Sequence, residues 1–97
     1  MTAIIHEKFN DGKEICANSY AYHKYQEKLV LKFAFPKDTD EIIDFIESCD
    51  QSKIVITAKY PNREKTLTFI NYYMGHSFFN ITQAGSILEI HFEREVV

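Results

Sequence analysis

Tryptophan is absent from the 97 residues, cysteine, methionine and proline occur twice each, and glycine three times. Two cysteines, Cys16 and Cys49, cannot staple a fold, so a disulfide scaffold is excluded. Gly12, Gly75 and Gly85 are isolated, which rules out a glycine-rich phosphate loop, and no nucleophile elbow is present. No uninterrupted apolar run approaches the ~20 residues of a membrane-spanning helix. The opening MTAIIHEKF lacks the basic start and long apolar stretch of a signal peptide. Acidic residues outnumber basic ones by 14 to 11, a net charge of −3, leaving no electrostatic footprint for duplex DNA or RNA. What the chain does have is aromatic: eight Phe and six Tyr, with 45% hydrophobic residues overall. That suffices for the core of one domain spanning residues 1–97 and argues against global disorder.

The pattern along the chain reads as short strands around one helix. Residues 3–9 and 13–22 flank Asn10-Asp11-Gly12, a hairpin signal because these residue types tolerate the positive φ of tight turns. In 28–35 (KLVLKFAF), Leu29, Leu31, Phe33 and Phe35 share one face by the period of two, and Pro36 ends the run. Residues 53–60 alternate likewise. A turn at Pro61–Glu64 leads into a strand over 65–74, and 77–82 with 86–93 form a last hairpin across Gln83-Ala84-Gly85.

Residues 38–50 (DTDEIIDFIESCD) carry the helical pattern. Asp38 and Glu41 have capping-box spacing, and Ile42, Ile43, Ile46 and Cys49 recur at three and four residues. The expected architecture is α+β: a mostly antiparallel sheet of six to seven strands, rolled or split in two, with the helix packed on one face. Strands before and after the helix invite a duplication, but the two halves share no sequence pattern.

Chemistry-bearing residues are sparse. His6, His23, His76 and His91 lack metal-ligand spacing; a site built from His6, His91 and a carboxylate across neighbouring strands is geometrically conceivable, against the plainer reading of exposed strand histidines. Cys49 falls near the helix C-terminus, where the dipole disfavours a thiolate, and reads as core filling. Cys16 has no base near it in sequence. These features point to no enzyme, no metal and no cofactor. Asn80-Ile81-Thr82 matches a glycosylation acceptor, without a secretion signal to give it meaning.

Two excesses remain. Asp38, Asp40, Glu41, Asp44, Glu47 and Asp50 crowd the helix with no base among them, and no Lys follows at i+4 to offset the acids at its C-terminal end. The bland reading is a solvated face with a well-capped start; the functional one is an acidic ridge for a basic protein surface. Tyr72 and Tyr73 are neighbours in a strand, so they point to opposite faces and cannot share one core. Phe78 lies just beyond them. Base stacking on these rings would need a basic groove, which is missing.

The order KLVLKFAF, acidic helix, KIVITAKY, TLTFINYYMGHSFFNI and SILEIHFER, over residues 28–94, resembles small accessory proteins of bacteriophages and other mobile elements, tail-associated or anti-defence. The resemblance implies a viral accessory role through protein contact, in the cytoplasm of a bacterial host or on the virion, and transfers no functional residue. The leading expectation is a protein-binding module, an inhibitor of a host defence system for instance. Its contacts would be Asp40, Asp44, Glu47, Tyr72, Tyr73 and Phe78, with no membrane partner. One alternative is a homo-oligomeric structural protein that pairs edge strands or its aromatic face between copies. Another is a small enzyme or ligand-binding domain using Cys16 or a histidine.

Overall fold

The computed structural model describes residues 4–36 and 38–95. Ala3 at the start of the first expected strand, and Val96 and Val97 at the end of the tail, lie outside the described residues. The elements are β1 (Ile4–Phe9), β2 (Glu14–Ala17), β3 (Ser19–His23), β4 (Lys28–Ala34), α1 (Thr39–Glu47), β5 (Lys53–Lys59), β6 (Glu64–Ile70), β7 (Tyr72–Thr82) and β8 (Gly85–Arg94). The protein is α+β and its strand pairs are antiparallel, as the alternation predicts. The strands form two sheets of four, however, rather than one sheet of six to seven: sheet A in the order β2-β1-β5-β6 and sheet B in the order β3-β4-β8-β7.

Each sheet buries one face. In sheet A the register sets Ile5 opposite Ala58 and Phe9 opposite Ile54. In sheet B it sets Leu29, Leu31 and Phe33 of β4 opposite Phe92, Ile90 and Leu88 of β8. All ten of these side chains are buried and belong to one core cluster. At roughly 1.5–3 kcal/mol for each large apolar side chain removed from water, this double layer is the main source of stability.

Two residues, Asn18 and Asn71, explain why the strands do not form a single sheet. Each is the only residue between two strands that belong to different sheets: Asn18 joins β2 to β3, Asn71 joins β6 to β7. A corner of one residue is too short to separate two strands in the sequence pattern, so 13–22 and 65–74 each read as one strand. Asn71 adopts φ 60, a left-handed conformation that Asn tolerates better than most residues. The corner resets the alternation, so Phe69 and Tyr72 both face the core. The chain order also repeats. Hairpin, corner, hairpin occurs once before the helix and once after it, with β1 pairing β5 and β4 pairing β8 at the centres of the sheets. The two halves match in topology although no residue pattern links them.

The helix is shorter than 38–50 and packs on the core that the two sheets share. Asp38 is its N-cap, its carboxylate accepting the Glu41 N–H at 3.1 Å. Ile46 is fully buried and Cys49 nearly so, both in the common core. The helix packs toward β7 of sheet B and, through Ile42 and Phe45, toward Ile15 of sheet A.

Candidate interaction surfaces

The helix acids divide into structural and free ones. Asp38 is occupied as the cap. Asp50 is the hub of a turn: it accepts from Ser52 N–H and Oγ–H at 3.0 and 2.7 Å and from Asn10 Nδ2 at 2.9 Å, and the Ser52 and Asn10 bonds hold its carboxyl below the usual range. No base lies in the last helical turn, but Lys13, from the β1–β2 turn, donates to the Ser48 carbonyl at 3.1 Å. A residue 35 positions away thus supplies the cation that the dipole favours there. The missing i+4 lysine is therefore not a sign of function. Asp40, Asp44 and Glu47 remain exposed on the side of α1 turned away from the core.

The helix is tied to β7 by Gln51. Its Nε2 donates to the Ile46 carbonyl at 2.9 Å, satisfying an end-of-helix acceptor, while its Oε1 accepts the Met74 N–H at 2.6 Å. The sequence pattern marks Gln51 only as part of the helix stop.

Of the three aromatic residues expected at the surface, the structure places Tyr73 and Phe78 there, but not Tyr72. Tyr72 is buried, edge-on to Phe69 at 5.3 Å and to Tyr22 at 6.4 Å between ring centres. Burial first, then its hydrogen bond with Tyr22, pushes the phenol up to about 12. It is a core residue, and the Asn71 corner put it there.

Tyr73 and Phe78 lie on the outer face of sheet B, where the register builds rows across the strands. One row is His23, Lys28, Glu93 and Tyr73; the next is Ala21, Val30, His91 and His76; the third is Ser19, Lys32, Glu89 and Phe78. Tyr73, His76 and Phe78 therefore form an aromatic column on β7. Beside it, β4 and β8 carry cross-strand pairs of opposite charge, Lys28–Glu93 at 3.6 Å among them. A bulge between Met74 and His76 lets the column continue on the same face despite the extra residue. Phe78 is 49% exposed and stands edge-on to His91 at 5.0 Å. His91 Nε2 is buried without a hydrogen bond, and its nearest carboxylate oxygen, on Glu89, is 3.6 Å away.

The conceivable His6–His91 site does not form, since His6 belongs to sheet A and His91 to sheet B, each on a face turned away from the core. No cluster of three or more metal-ligating side chains occurs among the described residues. His6 instead meets Glu14, Nε2 to Oε2 3.3 Å, and lies directly opposite Cys16 in the β1–β2 register. These three share the open outer face of sheet A. Cys49 fills the core as expected, donating to the Phe45 carbonyl at 3.1 Å, with burial raising its thiol.

One further residue stands out only in the structure. Glu7 points into the middle of the core, opposite Ile56 on one side and Ile15 on the other. Its Oε2 accepts the Ala17 N–H at 3.1 Å, and its Oε1 has no partner among the described residues. Burial raises it from 4.5 to about 8, more than that hydrogen bond lowers it. Burial thus favours its protonated form. The sequence signal is its place between Ile5 and Phe9 on the inward period of β1.

Comparison with protein-family models, with curated proteins and with solved structures finds no match to this chain.

Proposed function

We propose that the protein is a binding module that docks on another protein through the outer face of sheet B. The observation that carries this reading is the column Tyr73, His76, Phe78, whose rings stand at the surface beside a strip of paired charges. Apolar rings with a polar border are the composition of a recognition patch, in which rings bury area and charges set orientation. Asp40, Asp44 and Glu47 on α1 form a second contact, suited to a basic surface. The two sets sit on different elements, so a partner would meet them separately or wrap around the β7 side. The resemblance to phage and mobile-element accessory proteins extends the reading to a viral accessory that works by protein contact, such as an inhibitor of a host defence.

The test is affinity purification from the bacterial host with wild-type bait, followed by Phe78→Ala and by Asp44→Lys with Glu47→Lys. The expected result is a partner retained by wild type and lost with Phe78→Ala, with weaker retention by the charge-reversed bait and unchanged melting in both. Undiminished recovery with Phe78→Ala defeats the reading. A second reading, a thiol enzyme or ligand-binding domain, has one observation behind it, the juxtaposition of Cys16, His6 and Glu14. Alkylation of Cys16 that is no faster than that of a free thiol, in wild type and His6→Ala alike, would remove it.

A further inference from the structure

The four sheet edges are not alike. β2 is four residues long and β3 five; β6 is seven and opens with Glu64-Lys65. β7 runs for 11 residues, YYMGHSFFNIT, without one Asp, Glu, Lys, Arg or Pro. Soluble proteins commonly blunt an edge by shortness, charge, proline or cover, and the outer half of β7 shows none of these among the described residues. Its inner half is protected: the Met74 N–H is taken by Gln51, and the bulge at Gly75 interrupts the ladder.

Beyond the bulge the parity of the edge follows from the loop. Thr82 pairs with Gly85 across the two residues Gln83-Ala84, so the backbone groups of Thr82, Asn80 and Phe78 turn toward β8 and those of Ile81, Phe79 and Ser77 turn outward. The outward N–H of Met74, one bulge earlier, agrees with this count. The side chains of Phe79 and Ile81 lie on the core side of the sheet yet are 50% and 81% exposed.

We infer that this edge pairs antiparallel with the same edge of a second copy, about a two-fold axis at Phe79. That register sets Phe79 against Phe79 and Ser77 against Ile81 of the second copy at both ends, each an outward-facing pair that can exchange two hydrogen bonds. It joins the two B sheets into one of eight strands and covers Phe79 and Ile81. A second copy is the fitting occupant because an uncharged strand meets itself without like-charge opposition, and the symmetric register satisfies both ends at once. A foreign strand would find no charge on this edge to select it. The two aromatic columns of the outer face then lie side by side at the seam. The pairing uses the edge and not the outer face, so it and the docking function fail independently.

The experiment is sedimentation velocity on the full chain from the low-micromolar to the near-millimolar range. Wild type is expected to show a concentration-dependent dimer. Ser77→Lys with Ile81→Lys, and Ser77→Glu with Ile81→Glu, are each expected to weaken dimerisation at least about tenfold, because the register opposes like charges at both ends. Circular dichroism and melting check that both variants fold, and mixing them should restore the dimer, since each Lys then meets a Glu. A strictly monomeric wild type overturns the proposal, as does a dimer that persists in both charged variants or a mixture that stays monomeric.

Discussion

Sheets A and B each break the simple rule of apolar inside and polar outside, and their most pronounced exceptions differ in kind. Sheet A breaks it in the core, where Glu7 sits with an unsatisfied oxygen. Sheet B breaks it mainly on its outer face and edge, with Phe78, Phe79 and Ile81 exposed on one long strand, whereas the exposed Ile4 and Ile70 of sheet A stand on separate strands. A buried carboxyl acts on stability, because its ionisation must be suppressed for the fold to persist. Exposed rings and an open edge act on association, since removing them from water is left to another molecule. One sheet thus sets a condition on the folded state and the other presents the surface.

The largest expected effect tests the sheet A side. Unfolded, Glu7 titrates near its ordinary 4.5; folded, near 8. Between those values the native state holds one proton more than the unfolded state, so stability falls as pH rises through the window and levels off above it. One proton held across one pH unit is worth about 1.4 kcal/mol, so the loss between about pH 5 and 8 is on the order of 3–5 kcal/mol. Urea unfolding across that range should show the decline, and Glu7→Gln, which cannot ionise, should flatten it and be the more stable protein at about pH 8. A flat wild-type profile would mean that Glu7 is not held protonated.

A middle-sized effect probes how the sheet B hairpin is held. Gly85 has φ 132, and the Phe35 ring lies where a Cβ would be, 1.9 Å from its nearest atom. Gly85→Ala should displace that ring and strain the loop, lowering stability by roughly 1–3 kcal/mol in thermal or urea unfolding. Little change would show that Phe35 repacks freely. The smallest effect on stability is expected on the outer face. Phe78→Ala should change unfolding by less than about 1 kcal/mol, while removing the partner contact. A large destabilisation would move Phe78 from the surface to the architecture and erase the contrast between the sheets.

Much of the fold was legible residue by residue. The inward sets Leu29–Leu31–Phe33 and Leu88–Ile90–Phe92, the Asp38 cap and the stripe ending at Cys49 all follow from local period and local hydrogen bonding, and the structure keeps them. Phe35, read on the same face as Phe33 by the period of two, instead lies past the end of β4 at φ 52 and is exposed. The exposure of Tyr73 opposite Tyr72 was legible too, as a choice between two faces. Which tyrosine went inside was not, because Asn71 in the left-handed region resets the phase. Nor was the role of Lys13 at the helix end, since neighbours in sequence reveal only the local part of a helix's electrostatics.

By itself, then, the sequence determined the antiparallel α+β class, the faces of β4, β5 and β8 and the capped acidic helix. Each of these depends on interactions within a few residues, or on a period that the chain carries locally. Only the tertiary structure decided that the strands divide into two sheets, that Glu7 is sealed in the core and that β7 is left as an open edge. Those outcomes depend on which strands meet, and the corners at Asn18 and Asn71 are single residues, too short to separate two strands in the sequence pattern.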